Sequence, residues 1–171
     1  MDLDSAATKI DFTLAATMHT VHGVLRLKSG HIRIDTATGK ATGVIVVDAT
    51  SADTDNTSRD KKMHGEILES AKFSEITFTP SLAKGALSDV LARQHPGQIE
   101  VAGVFRLHGL DHAATLTFSV QPSANGRVDA STTFPVPYAQ WGLKNPSTFL
   151  LHVADTVNVD VDTSATISSS P

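Results

Sequence analysis

The sequence predicts an all-β fold in which about eight antiparallel strands are accompanied by one short helix. Three observations carry this prediction. Apolar and polar residues alternate through most segments, which is typical of strands with one buried face. Turn signals such as Asn125-Gly126 separate these segments, and helical spacing of apolar residues occurs only between Arg59 and Ala71. Because strands and helices do not alternate, an up-and-down barrel or a sandwich is expected rather than a parallel sheet.

Composition limits the class of protein. The 171 residues are expected to form one domain over 1–171, with a frayed tail at 168–171. Apolar runs are far shorter than the ~20 residues of a membrane-spanning helix. A net charge of −4 without a basic stripe excludes nucleic acid as a partner, and the absence of cysteine excludes disulfides and thiolate metal sites. The opening Met1-Asp2-Leu3 shows no leader, so the protein is expected to be cytoplasmic or to have lost one.

The first strands are predicted from alternation before residue 50. Their inward candidates are Ile10, Phe12, Leu14, Val21, Leu25, Leu27, Ile32 and Ile34. Ser29-Gly30 and Thr38-Gly39 are predicted as tight turns between strands. The run Gly43–Val47 is apolar throughout, which indicates a strand that is buried on both faces or lies under a covering helix.

One helix is predicted from about Arg59 to Ala71, where apolar residues recur at helical spacing. Thr57 and Asp60 resemble a capping box at its start. The segment 84–96 is ambiguous, since its apolar residues fit either a helical turn or an irregular loop. Alternation then resumes, and the inward candidates of the later strands are Ile76, Phe78, Ile99, Val101, Phe105, Leu107, Leu116, Phe118, Val120, Val128, Phe134, Val157, Val159 and Val161.

Ten of these positions are the best candidates for an apolar interior. They are Phe12, Leu25, Ile45, Val47, Phe78, Val101, Phe105, Leu116, Phe118 and Phe134. A closed barrel of about eight strands either is filled by side chains or holds one small ligand. Periodicity does not distinguish a filled interior from a hollow one, so both remain open at this level.

Polar residues that could carry chemistry are few. Strand alternation separates His19 from His22, which makes them a poor chelating pair unless His19 lies in a loop. His108 and His112 flank a turn and could meet. Arg59-Asp60 fits either a phosphate clamp at a helix start or a structural ion pair that holds the turn. No convergent catalytic motif is found, so no catalytic residue, metal or cofactor is predicted.

Motifs in a consistent order along the chain resemble the YceI-like family, often described as polyisoprenoid-binding proteins. The matching motifs are Thr20–Gly23, the Ser51–Phe78 stretch with Arg59-Asp60 before its helix, the strand Val101–Gly109 that ends in His-Gly, Trp141-Gly142, and Val153–Val157 before the last strand. The sequence departs from the family at Pro137, close to a position where many relatives carry Arg.

The resemblance implies a lipocalin-like antiparallel barrel with a long apolar pocket for an elongated amphiphile. The expected function is binding, carriage or storage of a long-chain isoprenoid or similar lipid, without enzymatic activity. An enzyme acting on such a lipid and a His-based metal or cofactor binder are the alternatives. Trp141 is expected to join the ten interior residues against the tail, and His19, His22 and Arg59 to meet the head group. A periplasmic or secreted location is expected, and a homodimer is left open.

Overall fold

Strands dominate the structure. The computed structural model describes residues 1–91 and 95–168. The strands are β1 Asp2–Leu3, β2 Lys9–Ala15, β3 Thr20–Ile34, β4 Ala41–Asp53, β5 Glu75–Gly85, β6 Gly97–Leu107, β7 Leu110–Ser123, β8 Arg127–Val136 and β9 Val157–Thr166. The helical segments are α1 Thr57–Lys62, which continues into a π-helical turn at Met63–Ile67, α2 Leu87–Leu91, and a 3₁₀ turn at Ala124–Gly126.

Strands β2 to β9 form a closed antiparallel barrel. Each pairs with its neighbour in the chain, and β9 pairs back with β2, where Phe12 lies opposite Val159. The two-residue β1 pairs with both β3 and β9. Because closure removes the free edges of the sheet, every barrel strand has two hydrogen-bonded neighbours. The predicted eight-stranded up-and-down barrel is therefore confirmed, and the sandwich alternative is not observed.

The connections between strands fall into two groups at opposite ends of the barrel, because the strands alternate in direction. One end, called the mouth end below, holds residues 16–19, 54–74, 108–109 and 137–156. The other, called the closed end, holds residues 35–40, 86–91 and 124–126 together with β1. These two ends differ in packing.

The closed end is a packed apolar core. Its buried members are Ala41, Phe78, Ala83, Leu87, Val90, Ile99, Val101, Leu116, Val120, Val128 and Ala165. Leu87 and Val90 of α2 belong to this core, and Val90 is 0% exposed. The short helix thus plugs this end of the barrel. A smaller cluster of Leu107, Val136, Tyr138 and Leu143 lies at the mouth end.

Two predictions for the first half of the chain are wrong. Ser29-Gly30 is not a turn, because β3 runs unbroken through it with a register shift between Leu27 and Ser29. Gly30 instead allows β1 to pack closely, since a Cβ there would lie 2.9 Å from the Cβ of Leu3. The run Gly43–Val47 is not buried on both faces, because Val44 is exposed on the outside of the barrel.

The helical predictions are confirmed in kind and corrected in their bounds. The helix begins at Thr57, and its cap is Asn56, whose Oδ1 accepts from the Arg59 backbone N–H at 3.0 Å, rather than a Thr57–Asp60 box. It ends at Ile67, shortly before Glu69 adopts a φ of +45°. The ambiguous segment 84–96 holds α2, while its residues 92–94 and the tail residues 169–171 lie outside the described residues.

The hairpin turn at Asn125-Gly126 is confirmed, while the turn expected over 108–112 is limited to His108 and Gly109 because β7 begins at Leu110. Asn125 and Gly126 have φ angles of +61° and +72°, and His108 and Gly109 have +52° and +76°. Two consecutive residues in the left-handed region are typical of tight turns whose twist matches that of the flanking strands. Asn and Gly adopt this region with little strain, which is why Asn125-Gly126 was the stronger signal in the sequence.

Candidate functional site

A cavity of about 500 Å³ occupies the barrel between the packed closed end and the mouth end. Val157, Val159, Val161 and Thr163 line it in succession along β9, which corresponds to a length of about 20 Å at ~3.3 Å per residue. His19 and Lys62 also line it and are exposed to solvent, so the cavity opens at the mouth end. Its volume lies within the range of about 300–1,000 Å³ that is usual for small-molecule pockets.

Most of the residues predicted to face the interior do line this cavity. They are Phe12, Leu25, Ile45, Val47, Phe78, Phe105, Leu116, Phe118 and Phe134. The alternation in the sequence therefore identified the inward face of the strands in the correct register. The structure adds what alternation did not show, namely that this part of the interior is hollow.

Val101 and Trp141 do not line the cavity. Val101 points inward but is buried in the core of the closed end, although its cross-strand partner Leu116 does line the cavity. The Trp141 ring is 5.5 Å from that of Phe105 and stacks on His112 at 4.1 Å with an interplanar angle of 4°. Trp141 thus supports a lining residue rather than forming the lining surface.

The mouth of the cavity contains residues that periodicity did not identify. Met63, Ile67 and Leu68 line it from the π-helical turn and the residue after it, and Leu143, Pro146, Leu151 and Val153 line it from the segment before β9. The helical spacing of Met63, Ile67 and Leu68 indicated a buried face without showing what it covers. The residues between 143 and 153 follow no helix or strand period, so only the folded chain shows their position.

One wall position depends on the absence of a side chain. Phe12 on β2 lies opposite Gly23 on β3, and its ring covers that glycine. A Cβ on Gly23 would lie 2.2 Å from the Cζ of Phe12, which is far inside van der Waals contact. Gly23 therefore provides the space that allows the Phe12 ring to lie flat along the wall.

A polar network at the start of α1 forms part of the rim. The Arg59 guanidinium donates from Nε to Thr54 Oγ1 at 2.7 Å and from Nη2 to the Thr54 carbonyl at 2.7 Å. The Asp60 carboxylate accepts from the Thr54 backbone N–H at 3.0 Å and from its hydroxyl at 2.5 Å. Arg59 and Thr54 both line the cavity. Both side chains therefore hold the turn through Thr54, and Arg59 also lies at the opening.

Opposing effects act on the ionisation of Asp60. Burial by itself would raise the pKa of this carboxyl, but the hydrogen bonds from Thr54 and the positive charge of Arg59 outweigh it. The pKa of Asp60 therefore lies below its usual range. The ionised carboxylate is the form that holds the turn between β4 and α1.

The histidines do not converge. His19 lies just before β3 at the opening, whereas His22 is exposed on the outer face of β3. His108 Nε2 is 2.6 Å from Glu69 Oε2, while His112 stacks on Trp141. His64 Nε2 donates to the Ala52 carbonyl at 2.8 Å, which joins the π-helical turn to the end of β4. Within the described residues, no group of three or more His, Asp or Glu side chains is placed to hold a metal ion.

Besides Thr54 and Thr77, three further threonines line the cavity: Thr8, Thr132 and Thr163. Thr8 donates to the Asp4 carbonyl at 2.7 Å, so its contact of 2.6 Å with Thr163 uses the proton of Thr163. Thr132 is buried on the wall of β8, and its hydroxyl has no hydrogen-bond partner in the described part of the chain. The Thr132 hydroxyl is therefore the unsatisfied polar group of the cavity wall.

The segment 137–156 is held against the barrel by buried and exposed contacts. The Tyr138 hydroxyl donates to the Ala154 carbonyl at 2.7 Å. Burial, with a smaller contribution from the negative charge of Asp155, raises the pKa of Tyr138 to about 12, so the hydroxyl keeps its proton at neutral pH. Lys144 pairs with Glu66 of the π-helical turn at 2.5 Å, but both side chains are exposed and such a pair contributes little.

No helix in the described parts of the chain is long and apolar enough to cross a bilayer.

Comparison with known proteins places the whole barrel in one family. The model of the YceI-like domain matches residues 1–165. None of the curated proteins matches the chain in sequence. Among solved structures, BcnA of Burkholderia cenocepacia has a TM-score of 0.76 at 16% identity, over 96% of this chain and 100% of its own.

Two further structures are similar. A polyisoprenoid-binding domain of Saccharophagus degradans, implicated in plant cell wall breakdown, has a TM-score of 0.69 at 19% identity and covers 95% of each chain. The YceI protein of Campylobacter jejuni has a TM-score of 0.67 at 16% identity, over 90% of this chain and 88% of its own. At these identities the likeness establishes the fold, while the family model covers nearly the entire chain.

Proposed function

This chain belongs to the YceI-like family, and we propose that its cavity binds the tail of a long-chain isoprenoid or a similar amphipathic lipid. The observation that carries the proposal is the cavity itself, about 500 Å³ in volume and lined mostly by Val, Leu, Ile and Phe. Removing apolar area from water contributes roughly 25 cal/mol per Å², so an apolar chain that fills such a space is bound favourably.

The shape of the cavity favours an extended chain over a compact ligand. It follows β9 for about 20 Å and is closed at one end by α2, so a tail would enter from the mouth end and leave its head group there. The Saccharophagus neighbour is described as a polyisoprenoid-binding domain, which supports an isoprenoid as the tail.

The head group is proposed to lie beside His19 and Arg59, which line the opening. Arg59 already donates two hydrogen bonds to Thr54, and its remaining N–H groups can reach an anionic or hydroxyl head group. His22 faces away from the cavity, so we remove it from the proposed head-group residues. Lys62, which also lines the opening, takes its place.

Binding, carriage or storage is proposed rather than catalysis. Asp60 is engaged by Thr54, His64 bonds to the Ala52 carbonyl and His108 pairs with Glu69, so within the described residues none of these three groups is free to act on a ligand. A periplasmic or secreted location belongs to the same proposal and rests on the family resemblance. A single domain over the whole chain and a homodimer remain predictions.

Extraction of the purified protein with organic solvent, followed by mass spectrometry, tests the proposal. We expect an isoprenoid or similar lipid in the wild type and a loss of that lipid in Phe118→Glu and Phe105→Glu, which should remain folded although destabilised. Ser119→Glu is the matched control, because Ser119 is adjacent in β7 and faces outward. Stoichiometric metal after dialysis, in a protein without extractable lipid, would overturn the proposal in favour of a metal-binding role.

A further inference from the structure

The most exposed large apolar side chains of the described residues all lie at the mouth end. Met18, Phe149 and Leu150 are 88%, 102% and 88% exposed, and Leu110 is 52% exposed. The other exposed large apolar residues lie on the outer faces of strands and are less exposed: Val24, Val44 and Val104. Apolar exposure is therefore concentrated where the cavity opens.

Met18, Phe149 and Leu150, together called the apolar rim below, are carried by two turns that are bonded to each other. The Thr17 backbone N–H donates to the His152 carbonyl at 2.9 Å, and the His152 N–H donates to Thr17 Oγ1 at 2.9 Å. Ala16 and Val153 continue the pairing as a β-bridge. The two turns thus present the apolar rim as one surface of defined position.

The apolar rim borders the cavity directly. His19 follows Met18 and lines the opening, and Leu151 follows Leu150 and lines it as well. On each of the two turns, a fully exposed apolar residue is therefore followed directly by a residue that lines the cavity. A lipid leaving the cavity would pass beside the apolar rim.

We propose that the apolar rim docks the mouth of the barrel on a lipid bilayer, where a lipid enters or leaves the cavity. This inference rests on the proposed function, because a lipid bound in the cavity is the reason for the opening to meet a bilayer. A stable contact with a second protein buries on the order of 1,000 Å² and needs a complementary surface, which three protruding side chains around an opening do not supply. A bilayer interface accepts protruding apolar side chains without matching their shape.

The chemistry indicates shallow and reversible docking. Three side chains at the tips of turns reach only the boundary between head groups and acyl chains. Lys62 is exposed at the opening and would meet the head groups, so anionic lipids should strengthen the contact.

Vesicle flotation tests the docking surface. The wild type, the double variant Phe149→Ser/Leu150→Ser and the control Val44→Ser/Val104→Ser are mixed with vesicles of phosphatidylcholine, with or without one fifth phosphatidylglycerol. The control removes two exposed valines from the outer faces of strands, outside the apolar rim. We expect the double variant to lose at least tenfold in vesicle partitioning while the control binds as the wild type does. Equal binding of all three proteins would overturn the proposal.

Gel filtration and lipid loading separate the other outcomes. The wild type could fail to bind vesicles and form a dimer, while the double variant is a monomer. This result would make the apolar rim an interface between copies and refute membrane docking. Geranylgeraniol serves as the lipid probe. The double variant should take up this probe from detergent at the rate of the wild type, but more slowly from vesicles. Normal loading from vesicles would contradict docking. A wild type that floats with vesicles but takes up no probe from either source would support docking and refute the proposed function.

Discussion

The packed core at the closed end and the cavity that opens at the mouth end are built from the same eight strands with the same alternation, yet one is filled and the other is hollow. On β6, Ile99 and Val101 are buried in the core, whereas Phe105, four residues beyond Val101 on the same face, lines the cavity. The strands themselves do not account for this difference. It arises from what covers each end.

The two ends are covered by different kinds of segment. At the closed end, α2 inserts Leu87 and Val90 among the strand side chains, and the core is apolar. At the mouth end, the π-helical turn and the segment 137–156 lie around an opening and are held by polar contacts such as Thr54 with Asp60 and Tyr138 with Ala154. Apolar packing therefore closes one end, whereas a smaller apolar cluster and these hydrogen bonds surround the opening at the other.

The largest expected effect comes from placing the same charge in the packed core of the closed end and on the cavity wall. Val90→Asp buries a carboxylate in a dry core, which should cost several kcal/mol and unfold a domain whose stability is typically about 5–15 kcal/mol. Val161→Asp points into the cavity, where water can hydrate the charge after the lipid is lost. We expect a folded Val161→Asp protein without lipid and an unfolded Val90→Asp protein in circular dichroism. If both proteins melt alike, the interior is packed throughout.

A second comparison removes the same atoms from the packed core and from the cavity wall. Ile99→Ala leaves a void in the core and should destabilise the protein by about 2–5 kcal/mol. Ile45→Ala enlarges a space that is already empty, so its loss of stability should be smaller. It should be close to the transfer free energy of the removed atoms, without a further cost for a new cavity. Denaturant unfolding of lipid-free protein measures the difference. Equal costs would show that the cavity collapses around Ile45 in solution.

Polar contacts at the mouth end make part of the stability depend on pH. Asp60→Ala leaves the Thr54 N–H and hydroxyl without their acceptor and should cost about 2–3 kcal/mol at neutral pH. Because folding lowers the pKa of Asp60 below 3.8, its contribution is complete above that pH and is lost as the pH falls through the folded value. The difference between wild type and variant should shrink below about pH 4.

Asp60→Asn is the control for that experiment, since it keeps an acceptor oxygen but removes the charge. Its cost should be smaller and should change less with pH. Ile99→Ala, at the closed end, should show the same cost at neutral and acid pH. A cost of Asp60→Ala that does not vary with pH would mean that the carboxylate is not responsible for holding the turn.

The smallest expected effect concerns the unsatisfied hydroxyl of Thr132. Thr132→Val replaces it by a methyl group of similar shape, which should be neutral or stabilise the protein by up to about 1 kcal/mol. Thr163→Val should instead destabilise by about 1 kcal/mol, because the Thr163 hydroxyl bonds to Thr8. Thermal melts of the two variants compare them. A clear loss of stability in Thr132→Val would show that its hydroxyl has a partner in solution, such as water.

Much of the fold was predictable because it depends on local period and on turn chemistry. A strand with one buried face alternates, so Phe12, Phe118 and Phe134 were assigned correctly to the inner face. Asn125-Gly126 carries its own preference for positive φ, so its turn was predictable as well. The turn prediction at Ser29-Gly30 was wrong because a glycine is also favoured within a strand where another segment packs closely. Only the position of Leu3 in the folded chain shows that Gly30 has this role.

The sequence by itself determined the strands, their inward faces and, through its family resemblance, the barrel. Only the tertiary structure decided where the interior is empty, because emptiness is a relation between side chains that are distant in the chain. Val101 and Leu116 look alike in the sequence and both belong to the packed core, yet Leu116 also borders the cavity and Val101 does not. The position of α2 across one end, and of Phe149 and Leu150 beside the other, follows from packing that no local period encodes.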